Sequence, residues 1–245
     1  MISALTTSPR SPSARFQESP RPAARVVTTA PGIVTGALTR VPKGQVLYSE
    51  GDLARSPLLV VSGVLRVMVR AATGRDRLAD LAGAGDVLAT SVFDNSPSAE
   101  TVIAASDAVV AVIDVNQTLA RVQGRTDLAA ALVRQLNRSR EMADDLGLPM
   151  GARICRILAR VAERLGDKLE PCAAGSRSAM QEWRHLPFSL THDDVALLAG
   201  CARVTATRVL GELKEAQVLE GHRGNYSVVP SALDAAADQY VYEVL

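Results

Sequence analysis

Between residues 33 and 115, apolar side chains come in short runs set off by glycines at near-regular intervals: Gly44, Gly51, Gly63, Gly74 and Gly85. Residues 58–61, 64–69 and 108–113 are the clearest strands, each bounded by turn chemistry. Thr73-Gly74 reads as the hairpin turn between a strand ending at Arg70 and the next over 78–81. Many short, evenly spaced strands with no intervening helix predict a small double-sheet β-roll rather than a βαβ fold.

The period then changes from two to seven. In TDLAAALVRQLNRSREMADDLG, the residues Ala129, Leu132, Leu136, Ser139, Ala143 and Leu146 recur at alternating spacings of three and four, a heptad seam. The pattern predicts a long helix over 126–147 with one seam to bury, and a second copy or the chain's own β-roll would cover it equally well. Leu148-Pro149-Met150-Gly151 breaks that helix and is expected to act as a hinge. GARICRILARVAERLGDKL follows as an amphipathic helix, with Ile154, Ile157, Leu158, Val161 and Leu165 inward and its arginines outward. Residues 170–184 form a Gly/Ser/Ala-rich loop of no evident role, and 183–190 return as a strand or hairpin.

The stretch LTHDDVALLAGCARVTATRVLGELKEAQVLEGHRGN (190–225) organises the C-terminal part. Thr191 followed by Asp194 is a capping-box start ahead of an apolar run, and Gly200 supplies the left-handed residue that ends the first helix. A second helix runs from about Arg203 to Ala216, with Ala206, Val209, Leu210 and Leu213 on one buried face. Arg203, Thr205, Thr207 and Arg208 lie near its start, mostly off that face. A recognition helix needs its polar side chains there, because its first turns enter the major groove. Apolar residues 218–219 and 226–229 flank Glu220-Gly221-His222-Arg223-Gly224-Asn225, which reads as a hairpin. Together these elements predict a winged helix-turn-helix closed by a short helix carrying Leu233 and Tyr240.

Composition narrows the class without redirecting it. The chain has 245 residues, 47% hydrophobic content and a formal net charge of +1, which describes a globular protein of about two domains. Residues 1–31 are rich in Ser, Thr, Pro, Ala and Arg and predict a disordered tail, because little apolar surface is available to offset ordering entropy. No apolar stretch is long enough to span a membrane and the N-terminus lacks a signal-peptide core, so a cytoplasmic protein with no membrane partner is expected. Cys155, Cys172 and Cys201 stand singly, without metal or cluster spacing. Residues 189–245 hold four Lys/Arg against eight Asp/Glu, a formal net of −4, which points to modest, salt-sensitive affinity for nucleic acid.

The run Ala199-Gly200-Cys201-Ala202-Arg203, then Thr205, Arg208-Val209-Leu210 and Glu212-Leu213, resembles the DNA-binding signature of the CRP/FNR (cyclic AMP receptor protein) family. KGQVLYSEGDLARSPLLVVSGVLRV and the AGAGDVL turn resemble the opening of its cyclic-nucleotide-binding domain, so the likeness covers about residues 35–240. It implies an α+β chain divided into the tail (1–31), a β-roll (32–125), a dimerisation helix (126–147) and a winged helix-turn-helix domain (148–245). It also implies a homodimer on a palindromic double-stranded operator, with RNA polymerase as a further partner. Arg203, Thr205, Thr207 and Arg208 are then the expected base or phosphate contacts, and Thr191, Ala202 (through its backbone N–H), His222 and Arg223 the backbone contacts. Family members usually carry an acidic residue where this chain has Val204.

The same resemblance makes the sensor pocket look degenerate. Nucleotide-binding members hold the ribose with a Gly-Glu pair and the cyclic phosphate with an Arg-Ser/Thr-Ala cassette. Here Ala89-Thr90 stands for the first and Ser98-Ala99-Glu100 for the second. A phosphodiester buried without a cation costs several kcal/mol, so no cyclic nucleotide is expected. Ser139 falls near the family's base-contacting hydroxyl and reads as a small seam residue. The roll has no cysteine and no histidine precedes His185, so no cofactor is expected. His192-Asp193-Asp194 is the one cluster of possible acid–base or metal groups, and adjacent helical side chains diverge. The expectation is a non-enzymatic, cyclic-nucleotide-independent transcription regulator; the alternative is a ligand- or partner-binding β-roll protein with a vestigial DNA module.

Overall fold

A computed structural model describes residues 27–30, 32–71, 74, 76–169 and 182–242. Most of the predicted tail (1–26 and 31) and residues 170–181 of the predicted loop lie outside them. Within the tail, however, β1 (Val27–Ala30) pairs antiparallel with β2 (Ile33–Val41), so those four residues are strand rather than disordered chain. Its β-branched Val27-Thr28-Thr29 suits an extended backbone.

Seven more strands complete the roll: β3 (Val46–Tyr48), β4 (Leu58–Ser62), β5 (Leu65–Arg70), β6 (Asp76–Ala82), β7 (Val87–Leu88), β8 (Glu100–Ala104) and β9 (Ala108–Ile113). They form two antiparallel sheets, in the orders β1-β2-β9-β4-β7 and β3-β8-β5-β6. Val41, Leu47, Val60, Leu65, Val67, Leu88, Val102 and Val110 fill the space between. Gly63 makes the turn from β4 to β5 at φ +80°, and a Cβ there would lie 2.3 Å from the Asp107 carbonyl oxygen. Only glycine fits that turn.

The chain leaves the roll through α1 (Val115–Ala120), capped by the Asp114 carboxylate on the Gln117 N–H. The long helix α2 (Val122–Asp144) ends in a 3-10 turn over Asp145–Gly147. Its two faces separate the two readings of its sequence. Leu128 and Ala131 pack on Ile33, Leu59, Val87 and Ile113 of the roll, with Leu132 at the edge. The rest of the predicted seam points to solvent, including Leu136 (62% exposed) and Leu146 (54%), joined by Val133.

Next comes α3 (Met150–Leu165). The break lies at residues 145–149, so Met150 and Gly151 belong to the new helix and not to the hinge predicted over 148–151. Gly151 is buried where a Cβ would stand 2.4 Å from the Tyr240 ring, a close-packing role. Then follow β10 (Asp167–Lys168), β11 (Arg184–His185), α4 (His192–Ala199), α5 (Arg203–Glu215), β12 (Leu219–His222), β13 (Asn225–Val228) and α6 (Pro230–Tyr242), with a small antiparallel sheet in the order β10-β11-β13-β12.

One core runs across the joint: Leu78 and Leu81 of β6 join a cluster with Ile157, Leu158, Leu198, Leu210 and Leu233. Four charges rim it. Arg138 of α2 reaches Asp80 at 3.2 Å and Asp86 at 2.9 Å, and Arg164 of α3 reaches the same two carboxylates at 3.0 and 3.2 Å. Among the described residues no helix is long and apolar enough to cross a membrane.

Candidate nucleic-acid interface

The α4–α5 pair is built by local rules that its sequence spells out. Thr191 accepts the Asp194 N–H at 3.1 Å while the Asp194 carboxylate accepts the Thr191 N–H at 2.9 Å, a reciprocal capping box. Gly200 ends α4 at φ +66°. Ala206, Val209, Leu210 and Leu213 are buried, each Val or Leu contributing about 1.5–3 kcal/mol of apolar burial. That burial fixes which way the rest of α5 faces.

The solvent side of α5 carries Arg203, Val204, Thr207 and Arg208. Thr205 is half-buried beside Ala206, so it stands at the edge of this face rather than in it. Ala202 is the exposed N-cap, where the first backbone N–H groups have no intrahelical acceptor. Val204 is 80% exposed, the most open of the large apolar side chains among the described residues.

Both arginines have carboxylate neighbours. Arg203 pairs with Asp193 of α4, and Arg208 pairs with Glu212 one turn along α5. Glu212 also accepts a 2.5 Å hydrogen bond from the Tyr240 hydroxyl. Such exposed pairs are weak, worth about 0–1 kcal/mol, so they hold the side chains without withdrawing them from a stronger anion.

Thr191 is placed differently from its expected role. Its hydroxyl already donates to Asp194 at 2.9 Å, so the donor that would meet a phosphate is engaged in the cap. The wing tip stands next to it. Arg223 and Gly224 turn the hairpin at φ +52° and +86°, as a primed two-residue turn needs, with His222 opposite Asn225. A Cβ on Gly224 would meet the Ser189 hydroxyl at 2.4 Å, and the Leu190 N–H donates to the Gly224 carbonyl at 2.9 Å. The tip is thereby fastened to the residues before α4, leaving His222 and Arg223 exposed.

Sequence reasoning weighed His192 only as an acid–base or metal group and missed its bridging role. Its ring joins the recognition helix to the wing, with Nδ1 2.9 Å from the Thr207 hydroxyl and Nε2 3.0 Å from that of buried Tyr226. Burial, with the Lys214 and Arg203 charges adding to it, lowers its pKa from the ordinary imidazole value. Lys214 lies over the Tyr226 ring, 5.4 Å from its centre. No spacing rule links positions 192, 207 and 226.

The other candidate site lies in the roll. Among the described residues, Thr90, Ser91, Asp94, Ser96, Pro97, Ser98, Ala99 and Glu100 line a cavity of about 230 Å³; two of these side chains are carboxylates and none is a cation. Ala89 is buried in a left-handed conformation at φ +56°. Its N–H donates to the Tyr48 hydroxyl at 3.1 Å, and that hydroxyl donates to Glu100. Burial and the Glu100 charge raise the Tyr48 pKa far above the usual phenol value, so the proton stays in place. Ser98 is buried and turned back onto the Glu100 carbonyl at 2.9 Å. Ser139 is exposed on α2 and bonds the Gln135 carbonyl one turn back. Among the described residues no group of three His, Cys, Asp or Glu side chains could hold a metal ion.

Comparison with known proteins covers both halves. Residues 38–123 match the cyclic nucleotide-binding domain and residues 152–233 match the Crp-like helix-turn-helix domain. The CRP-like cAMP-activated global transcriptional regulator of Mycobacterium tuberculosis is 22% identical over 189 residues, 75% of this chain and 76% of that protein. The cyclic AMP receptor protein of Thermus thermophilus is 26% identical over 197 residues, 78% and 83% of the two chains. Among solved structures, a CRP/FNR-family transcriptional regulator from Thermus thermophilus superposes with a TM-score of 0.65 at 18% identity, covering 83% of this chain and all of that one. FixK2 of Bradyrhizobium japonicum gives 0.63 at 21% identity, covering 82% and 96%.

Proposed function

This chain belongs to the CRP/FNR family of transcription regulators, which are not enzymes, and we propose that it acts in the cytoplasm as a homodimer on a palindromic operator without needing a cyclic nucleotide. The observation that carries the reading is the solvent-facing start of α5. Two arginines, a threonine and an apolar side chain share one open face beside a cationic wing tip. Arginine suits bidentate recognition of guanine, and Val204 can touch a thymine methyl group. Arg203, Arg208 and Thr207 are the proposed contacts from α5, with Thr205 at its edge. Ala202, His222 and Arg223 serve the phosphate backbone, and Thr191, whose N–H and hydroxyl both bond Asp194, serves it only by capping the first turn of α4. RNA polymerase contact belongs to the same proposal.

The dimer rests on the exposed stripe of α2. Leu136, Ala143 and Leu146 continue the heptad seam on the side turned away from the roll. A second copy would cover it at a two-fold axis.

Independence from cyclic nucleotide rests on the roll. The relatives are named for cyclic AMP, but here Glu100 and Asp94 line the cavity and none of its described lining residues is a cation, and the Tyr48 hydroxyl links the Ala89 N–H to Glu100. A cyclic phosphate entering would shed hydration and meet like charge.

Selection from random duplexes, followed by titration with cyclic AMP and cyclic GMP, tests the whole. The expected result is a palindrome with half-sites about 34–36 Å apart, bound with unchanged affinity at either nucleotide. A tenfold gain on adding nucleotide would sink the independence, and no salt-dependent duplex binding at all would make the DNA module vestigial.

A further inference from the structure

The sheet β3-β8-β5-β6 uses its two faces for different purposes. Leu65 and Val67 of β5 point into the roll, so Arg66 and Met68 point out, and Met68 packs against the core of the helical domain. Arg66 reaches across that joint to the first turn of α4. Its Nε donates to Asp194 Oδ1 at 2.8 Å, its Nη2 to Asp194 Oδ2 at 2.8 Å, and the same Nη2 to the Ser189 carbonyl at 2.9 Å. The two side chains are only 18% and 11% exposed.

Capping alone does not account for this arrangement. The capping box uses Asp194 Oδ2, which receives the Thr191 N–H and hydroxyl. Oδ1 is left for Arg66. A lone arginine on the outer face of a sheet is ordinarily solvated, whereas this one is held in a fork at both carboxylate oxygens, the most directional ion pair that side chains form.

We propose that Arg66 is a positioning residue for DNA recognition: by gripping Asp194 it fixes the helix-turn-helix of its own chain on the roll, and so sets the spacing at which two copies present their recognition helices. The proposal rests on the palindrome-reading dimer proposed above. A single helix-turn-helix reads one half-site however loosely it is tethered. Two of them reading half-sites at fixed separation gain from being held at the matching distance and angle, because the second contact is then made at high effective concentration. Arg138 and Arg164 tie α2 and α3 to the roll through Asp80 and Asp86. Arg66 acts beyond them, on the recognition unit itself. Its loss should therefore leave the roll, the dimer helix and α5 folded while loosening the angle between roll and α4.

The experiment uses the full-length protein with Arg66→Met, which keeps the aliphatic length and drops the fork, and Arg66→Lys, which keeps the charge. Affinities are measured for the selected palindrome, for a single half-site, and for palindromes with one base pair added to or removed from the spacer. For R66M a roughly tenfold loss on the palindrome is expected, with half-site binding unchanged within about twofold and the spacer preference flattened. R66K should fall between. R66M matching the wild type on the palindrome overturns the proposal, as does an affinity gain or an equal loss on palindrome and half-site. Equal losses would mean that Arg66 merely supports the local fold of α4. If the wild-type protein itself showed no preference for the palindrome, the dimer reading would fall and take this one with it; wild-type preference retained in R66M overturns the Arg66 role alone.

Discussion

Arg203 Nη1 lies 3.1 Å from Asp193 Oδ2, an exposed ion pair that links the first turns of α4 and α5, with the side chains 66% and 57% exposed. The first arginine of the recognition helix is thus already oriented before any ligand arrives. The same carboxylate that orients it also opposes a phosphate.

Asp193→Asn should therefore tighten operator binding by about two- to fivefold at low salt, the scale of an exposed pair. The gain should shrink as salt screens it. Fluorescence anisotropy at two salt concentrations is sufficient. A weaker complex would instead make Asp193 a hydrogen-bond acceptor for a base.

Replacing Arg203 or Arg208 by alanine should each cost about 1–3 kcal/mol if the side chain reads a base, and should relax selectivity at one base pair. A phosphate contact would instead lower the salt slope by about one and weaken all sequences alike. Val204→Glu should shift preference at the neighbouring pair toward cytosine, because a carboxylate accepts from the cytosine amino group and valine cannot. Repeating the duplex selection with each variant distinguishes these outcomes.

Leu136→Asp places a charge in the middle of the exposed stripe of α2 without touching the roll core. It should give a folded monomer that has lost preference for the palindrome. Leu132 is a poorer choice, because it also packs against the roll. Analytical ultracentrifugation with circular dichroism checks both halves of the prediction. A folded L136D dimer would place the interface elsewhere.

His192 should make the DNA-binding domain less stable in mild acid. Its folded pKa is below the unfolded value of 6.5, chiefly through burial. As pH falls below that value the unfolded chain takes up a proton that the native ring resists, so stability is full above it and declines through the window beneath. His192→Gln, whose amide can still meet Thr207 and Tyr226, should flatten the stability–pH curve there. Urea melts of both proteins at three pH values provide the comparison. Identical slopes would show that the ring does not resist protonation in the native state.

Much of the fold was legible because it depends on near neighbours. Glycines 44, 51, 63, 74 and 85 all adopt positive φ, as their punctuation of the apolar runs implied. The strands at 108–113 and 58–62, the capping box at Thr191 and the left-handed Gly200 follow from short apolar runs bounded by turns and from groups three or four residues apart. The family likeness extended the same local reading to the order of the domains.

What the sequence by itself determined is the period of each element and therefore which face of each is apolar: the roll's alternation, the stripe on α2, and the buried Ala206, Val209, Leu210 and Leu213 that turn Arg203 and Arg208 outward. These depend on geometry within a few residues. Contacts between distant positions were decided only by the tertiary structure. The stripe and the roll-facing side of α2 became separable once Leu128 and Ala131 docked on the roll. Tyr48 closing onto Glu100, His192 joining Thr207 to Tyr226, and Arg66 gripping Asp194 span 52, 15, 34 and 128 residues of chain. No periodicity encodes such distances, because which polar groups meet depends on how whole elements pack, and that is settled by the summed burial of their apolar faces.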